Sequence, residues 1–323
     1  MRRFPRSATT LFFDPRAEPL AEVADGERIV VETADSLCGL AKARLGGRER
    51  AAGLHIDEVL ERLGGACPVT GPFHLAGARP GDVVEIELHR VDPVPAAGEA
   101  WTGVFGGFGA LQHEGASLQP PMEAGLRRVP YRDGMAALPV GGGRTVALEL
   151  RPFLGTVGVA PRRERRLSFS QSPEYLGDVD QPAVRAGATL RLPVHVEGAL
   201  VAFGDAHGAQ GDGEITGVAV ELEAEAELTM RARDREAAGF VALPQLDTAE
   251  AIGSLAGLHG AELTSCARAA YTDLVERLHR SHGFARADAY QLLGQAGRLQ
   301  VGNMIDPFYS VLATVERRYL EPS

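Results

Sequence analysis

Lysine is almost absent from this chain. Of its 33 basic residues, Lys42 is the single lysine and the other 32 are arginines. Any catalytic scheme that needs a lysine must use Lys42 or be discarded. Lys42 lies in Leu40-Ala41-Lys42-Ala43-Arg44, with no Gly/Ser-rich run around it, and reads as a solvated side chain. Lysine-dependent nucleophilic triads are therefore disfavoured. Cysteine is equally scarce. Cys38, Cys67 and Cys266 are odd in number, widely spaced and form no CxxC pair. They support neither a disulfide framework nor a cysteine zinc site, and a reducing cytoplasm is the expected compartment. No run of about 18 apolar residues is present, so no membrane span is expected. The basic start, Met1 to Arg6, leads into no apolar signal core. Positive charge is short overall: the formal net charge is -10, which argues against nucleic-acid or anionic-membrane binding. No GxSxG elbow and no phosphate-cradling loop occurs. Gly106-Gly107-Phe108-Gly109 lacks the strand–glycine–helix context of a nucleotide site and reads as a tight turn.

What is present is a large apolar complement, 45% of 323 residues, with 39 glycines and 20 prolines spread along the chain as punctuation. That combination fits many short strands and tight turns. A turn followed by an alternating strand recurs over residues 25–32, 80–88 and 185–194. Val218 to Met230 reads as one long strand. Helical periodicity is confined to Asp57–Leu63, to Ser265–Ser281 with Gly283 as its stop, and to Ala287–Leu293. Leu299–Val301 and Ser310–Val315 read as strands. The expected fold is mainly β, of sandwich or barrel-like units, with an α+β C-terminal part. Its expected segments are 1–150, 151–235 and 236–323, intertwined in one unit. Residues 91–143 show little periodicity and read as a long surface excursion, a candidate lid, with Trp101 and Phe105 as candidate pocket-lining residues.

One stretch stands apart. Residues 177–214 hold Asp178, Asp180, His195, Asp205, His207, Gln210, Asp212 and Glu214. Strands over Thr189–His195 and Ala199–Gly204 are expected to form a hairpin about Val196-Glu197-Gly198, which would bring His195 near Asp205. Glycines at 204, 208, 211 and 213 let the chain turn sharply enough for 205, 207, 212 and 214 to converge. Imidazole with carboxylates is the ligand set of a hydrolytic zinc, manganese or iron site, whereas oxygen ligation by Asp205, Asp212 and Glu214 would suit calcium. The spacing is neither that of an HExxH helix nor that of an EF-hand loop. The plain alternative is a water-exposed acidic turn with His207 solvated and His195 a core residue.

Leu192-Pro193-Val194-His195-Val196-Glu197-Gly198-Ala199-Leu200 followed by Gly204-Asp205-Ala206-His207-Gly208-Ala209-Gln210-Gly211-Asp212-Gly213-Glu214 closely resembles the signature of the acetamidase/formamidase family. Further resemblance lies in Glu32-Thr33-Ala34-Asp35, Pro68-Val69-Thr70-Gly71-Pro72 with Gly77–Asp82, Pro152–Pro161, Asp288-Ala289-Tyr290, and Asn303-Met304-Ile305-Asp306-Pro307. The likeness covers roughly residues 24–316. It implies hydrolysis of a short amide to ammonia and a carboxylate, with a metal expected, and by family analogy a homodimer. It points to Asp180, His195, Asp205, His207, Gln210, Asp212 and Glu214 as site positions.

Within that set the expected metal ligands are Asp180, Asp205, His207 and Asp212, with zinc the first choice and calcium the alternative. Glu214 is the expected general base, joined by His195 and Gln210 in catalysis, and the Gly211–Gly213 backbone is the candidate oxyanion donor. Three departures from the family pattern bear on activity. The N-terminal region, Thr9–Asp14, carries neither the His nor the Trp of that pattern. The motif with Asn in the family reads Gly177-Asp178-Val179-Asp180 here. Cys67 replaces a histidine before Pro68, and is read as an inert core residue rather than a soft ligand. These departures motivate the alternative of a catalytically silent relative, a metal-stabilised ligand-binding or structural protein.

Overall fold

The computed structural model describes residues 1–112, 122–305 and 307–320. Two large sheets carry the fold. The first has nine strands in the order Arg2–Phe4, Arg28–Thr33, Ala224–Arg233, Val83–Pro93, Thr189–Pro193, Gln245–Asp247, Ala251–His259, Phe308–Glu316 and Arg298–Ile305. The second runs Gln171–Ser172, Leu176–Asp178, Phe153–Gly158, Val201–His207, Val69–Leu75 and Thr9–Thr10, with Ala21–Val23 added in parallel to Val69–Leu75. Strands Val83–Pro93 and Thr189–Pro193 alternate buried and less buried positions, as one covered face demands. Ile29, Ile86, Leu190 and Leu228 from the first sheet share one core with Val69, Phe73, Leu154 and Phe203 from the second. The two sheets thus form a sandwich.

Residues expected to lie in separate segments interleave. Val69–Leu75 pairs with Val201–His207, and Ala224–Arg233 pairs with both Arg28–Thr33 and Val83–Pro93. The helices Leu263–His282 and Arg286–Ala296 cover strands Ala251–His259 and Phe308–Glu316 through a second core around Cys266, Ala270, Leu274 and Leu278. The four-residue spacing of the last three sets that buried stripe. Gly283 ends the long helix in a left-handed conformation, φ 75°. Helices Cys38–Arg44 and Ile56–Leu63 form a third small core with Trp101, Phe105 and Val218.

Three expectations are corrected. Residues 91–143 are not an irregular excursion. Gly98–Val104, Gly125–Arg132, Met135–Gly141 and Arg144–Glu149 form a four-stranded antiparallel sheet, and residues 113–121 lie outside the described residues. Gly134 and the Gly142-Gly143 pair lie in hairpin turns, whereas Gly98, Gly103 and Gly125 lie within strands. Asp133 and Gly134, both left-handed at φ 51° and 74°, join Arg132 directly to Met135. The hairpin expected about residues 196–198 does not form either. Thr189–Pro193 pairs with Val83–Pro93 in the first sheet, and Val201–His207 lies in the second. Pro193 has no amide to extend the ladder, and left-handed Gly198, Ala199 and Leu200 (φ 72°, 58° and 51°) carry the chain across from one sheet to the other. Finally, the strand expected from Val218 begins at Ala224. Residues 220–222 instead bridge two sheets at the site.

Candidate active site

The site lies where Val201–His207 meets Phe153–Gly158. The two strands pair at Leu154–Ala206 and Thr156–Gly204, but the ladder opens between them. There the Gly155 carbonyl accepts from the amides of Val179 and Asp180 instead (3.1 and 3.2 Å). A Cβ on Gly155 would lie 2.7 Å from Asp180 Oδ1 and 2.7 Å from Asp205 Oδ2, so glycine is what lets both carboxylates crowd against this strand. Asp205 itself is left-handed, φ 57°. So are Cys67, Asp180 and Glu214, at φ 52°, 45° and 44°. Half of the eight non-glycine residues with positive φ among the described residues therefore belong to one cluster, the distribution expected where a fold holds strained backbone for a purpose.

Glu221 arrives by a separate route. Its backbone exchanges hydrogen bonds with Trp101 (3.0 and 2.7 Å), while its neighbours Val220 and Leu222 bond to Gly208 and Ala206 (2.7 and 3.1 Å). The segment thus stitches strand Gly98–Val104 to Val201–His207 and brings Glu221 against His207. The imidazole Nε2 lies 3.4 Å from Asp205 Oδ1, 3.4 Å from Glu221 Oε1 and 3.9 Å from Asp180 Oδ1. Its other nitrogen faces Gln210 Oε1 at 2.8 Å. The Gln210 amide is fixed in that sense because its Nε2 donates to the carbonyls of Asp180 and Gly302 (2.7 and 3.0 Å), which can only accept. His207 Nδ1 must then carry a proton and donate. In the neutral ring, the Nε2 lone pair faces three carboxylates, an arrangement that calls for a cation or a second proton between them.

Asp178, Asp180, Asp205, Glu214 and Glu221 are all buried around this point, with no lysine or arginine among the residues that line the cavity. Burial and the neighbouring acids hold Asp178 and Glu214 well above the usual carboxylate range. Burial also raises Asp180 to about 6 and Glu221 to about 8, despite the opposing pull of His207. Burial pushes Asp205 upward too, but His207 and hydrogen bonds from Asp178 and Cys67 outweigh it and hold Asp205 below its ordinary value. His207 goes the other way: burial alone would lower it, and Glu221, Asp205 and Glu214 raise it well above its ordinary value. Thr156 donates to Asp178 and reaches Asp205 at 3.3 Å; Asn303 donates to Asp180 at 2.7 Å. Even so, Asp180 Oδ1 and Asp205 Oδ1 accept no hydrogen bond. Buried anionic oxygens left without donors fit a divalent cation. Asp180, Asp205 and His207 can hold one, since their ligand atoms lie within 4.8 Å of one another.

Above the acids is a cavity of about 80 Å³, several times the ~10–15 Å³ that one water requires. Its wall is apolar: Ile56 and Leu60 from the short helix, with Trp101, Phe105, Phe108, Phe169 and Phe308. The Trp101 indole donates to Asp35 Oδ2 (2.8 Å), which fixes the ring. Asp35 is itself raised to about 6 by burial, against the lowering effect of that hydrogen bond. Burial and the surrounding acids raise the Cys67 thiol well above its ordinary value, which disfavours a thiolate there.

Asp180, Asp205, His207 and Glu214 of the expected set converge here, and Trp101 and Phe105 line the cavity. Gln210 stands behind His207 and orients it. His195 and Asp212 are elsewhere. His195 donates from Nε2 to the Glu174 carbonyl (2.8 Å) and accepts from Arg162 (3.3 Å) in a separate cleft, because its strand belongs to the other sheet. Asp212 is exposed and accepts from Gln300 (3.0 Å), as the Gly211–Gly213 turn carries it outward. Residue spacing misses Glu221. It lies in an alternating, strand-like run that places Glu223, Glu225 and Glu227 at the same parity, and nothing in that spacing singles it out.

The fold and this centre define a β-sandwich protein with a buried acidic, single-imidazole site. The chain belongs to the acetamidase/formamidase family, whose model matches residues 10–176 and 170–314. A curated relative, a putative formamidase of Schizosaccharomyces pombe, is 26% identical over 199 residues, 46% of this chain. The match spans 47% of that relative, so the chain covers about half its length. The acetamidase of Bacillus halodurans superposes with a TM-score of 0.82 at 25% identity, over 98% of each chain. That of Yersinia enterocolitica gives 0.85 at 25% identity, over 100% of this chain and 94% of the other. No helix among the described residues is long and apolar enough to cross a membrane.

Proposed function

We propose that this protein hydrolyses a short-chain amide to ammonia and a carboxylate, with a divalent cation, zinc before calcium, held by Asp180, Asp205 and His207. The observation that carries this reading is the cluster of five buried carboxylates and one imidazole under a small apolar-walled cavity. The relatives' names, acetamidase and formamidase, supply the substrate class. A cation held there supplies Lewis-acid polarisation of the amide carbonyl and acidifies a water.

The remaining work falls to the chain's own groups. Glu214 takes a proton from the attacking water onto its carboxylate and returns it to the amide nitrogen. The C–O bond forms, the C–N bond breaks, and RCONH2 with H2O gives RCOOH and NH3. A carboxyl raised by burial is suited to hold that proton in transit. Trp101, Phe105 and Phe108 pack the acyl group and keep bulk water away. The Asp35–Trp101 hydrogen bond holds that wall in place.

Elemental analysis of the purified protein, combined with ammonia release from formamide and acetamide, tests the reading. The native chain is expected to carry a divalent metal and release ammonia, and Asp205→Ala to lose both. A native protein with neither metal nor ammonia release overturns it, as does an Asp205→Ala variant that keeps both in full.

A further inference from the structure

We propose that Phe169 sets the size limit of the acyl group: it is the partition between the cavity over the acids and a larger outer cleft, and the amide enters past it. The inference rests on the amide-hydrolysis reading and deepens it by naming the residue that keeps the accepted chain short. The cavity has a buried floor and a half-buried rim. The acids, His207, Trp101 and Phe105 form the floor, and Ile56, Leu60, Phe108, Phe169 and Phe308 stand half-buried around the opening. The mouth therefore lies among these apolar side chains. An outer cleft of about 510 Å³ shares only Phe169 with the cavity among the described residues. A second cleft, of about 400 Å³, meets the cavity at Glu214 and Val218, but these are 7% and 6% exposed and close that side.

Phe169 is presented by a pinned backbone. On one side, the Ser168 amide donates to the Leu11 carbonyl at 2.8 Å and its hydroxyl to the Ala66 carbonyl at 3.0 Å. On the other, the Ser170 hydroxyl donates to the Leu167 carbonyl at 2.6 Å, and the Ser170 carbonyl accepts from the Asp178 amide at 3.3 Å. A Cβ on Gly177 would lie 2.0 Å from that Ser170 carbonyl oxygen, so the glycine of Gly177-Asp178-Val179-Asp180 is what lets the segment pack so closely. The Phe169 ring meets Phe308 edge-on with centroids 6.0 Å apart, and Phe308 meets His259, which lines the outer cleft, at 4.9 Å.

The consequence is steric. The inner space, about 80 Å³, holds a small acyl group over the acids. A longer chain must run out through the mouth, where the Phe169 ring occupies the way to the outer cleft. Truncating Phe169 joins the two spaces. The added room appears on the acyl side and leaves the acids and His207 untouched.

The test compares ammonia release from acetamide and hexanamide by the full native chain, Phe169→Ala and Phe169→Leu, with Ile215→Ala as the control in the cleft beyond Glu214. Phe169→Ala should raise kcat/KM for hexanamide relative to acetamide by about 10-fold or more, the usual worth of apolar room for added methylenes. Phe169→Leu should move the ratio the same way by less, and keeps the test open if the alanine variant unfolds. Ile215→Ala should leave the ratio unchanged. A second readout needs no catalysis. Trp101 is the single tryptophan of the chain and is 2% exposed on the cavity floor, so quenching of its fluorescence by acrylamide, a small neutral amide, reports passage through the mouth. The quenching constant should rise in both Phe169 variants and not in Ile215→Ala, with a native emission maximum showing that each is folded. An unchanged ratio, unchanged quenching, or a rise with Ile215→Ala instead overturns the proposal. Hydrolysis that ignores Phe169 in both readouts removes the partition and leaves the amidase reading standing. If no amide is hydrolysed, the amidase reading falls and the quenching alone decides whether Phe169 closes the cavity.

Discussion

Replacing Gln210 by leucine separates an orienting role from a catalytic one. Gln210 makes three hydrogen bonds: its Oε1 takes the His207 Nδ1 proton at 2.8 Å, and its Nε2 donates to the carbonyls of Asp180 and Gly302 at 2.7 and 3.0 Å. Leucine has similar bulk and can make none of them. At about 1 kcal/mol net per bond, the change should lower stability by about 3 kcal/mol. The effect on the cation is separate. Without Gln210, nothing named here fixes which ring nitrogen of His207 carries the proton, so the lone pair no longer faces Asp180 and Asp205 by default. Loss of such an outer partner typically weakens metal binding by about 10- to 100-fold, or about 1.4–2.8 kcal/mol. The assay is competition against a chromophoric chelator, paired with thermal unfolding in the presence and absence of zinc. The variant should bind zinc more weakly, and zinc should raise its melting temperature less than it raises that of the native chain. Unchanged zinc affinity refutes the orienting argument. Unchanged affinity with a large fall in kcat would place Gln210 on the substrate, as the sequence alone suggests.

Two further outcomes follow from the same contacts. His195→Ala should leave ammonia release and metal content intact, since its partners are Glu174 and Arg162 in another cleft; a large fall in either measurement would return His195 to the site. Asp247→Ala should lower stability by about 3–5 kcal/mol in urea denaturation, because it strands the buried guanidinium of Arg277, which Asp247 holds at 2.6 Å, and releases Arg191 at 2.7 Å. The native chain should show the matching acid dependence. Burial would raise the Asp247 carboxyl, but Arg277, Arg191 and Arg317 outweigh it and hold the value below normal. Its contribution is then complete above the unfolded carboxylate pKa and disappears as pH falls through the lower folded one. A native-minus-variant stability difference that stays flat across that acid range would contradict the assignment.

Much of the fold is legible in local pattern. The turn-and-alternation phrases at residues 25–32, 80–88 and 185–194 are strands Arg28–Thr33, Val83–Pro93 and Thr189–Pro193, and the four-residue spacing of Ala270, Leu274 and Leu278 is the buried stripe of the long helix. Pairing is the weak point. Nothing local in residues 189–204 says that its two strands belong to different sheets, and that one decision moves His195 from the site to another cleft. Asp133-Gly134 is a hairpin signal, but too little alternation surrounds it to be read as one. At the site, residues close in sequence are legible and remote ones are not. Asp180, Asp205, His207 and Glu214 fall within one motif-rich stretch of the chain; Glu221, though close behind it, is hidden in an alternating run, and Cys67 and Asn303 lie in segments that resemble the family pattern but reach the cluster only through sheet topology.

The site is also where the chain works against its own stability. Four of its residues hold left-handed backbone, at a cost of the order of 1–2 kcal/mol each, and five carboxylates share one buried space. The arginines that could neutralise them are used elsewhere: Arg191 and Arg233 pair with Glu85, and Arg28 and Arg90 with Glu227, on strands of the nine-stranded sheet. The scarcity of lysine adds to this separation, since no flexible ammonium is at hand to reach inward. A cluster in this condition is stabilised by protons or by a bound cation, and a cation that binds only the folded chain stabilises it in proportion to the logarithm of its concentration over Kd. On the proposed reading the strain and the uncompensated charge have one physical account: both would be tolerated because the folded sandwich fixes the acids around a position suited to a cation.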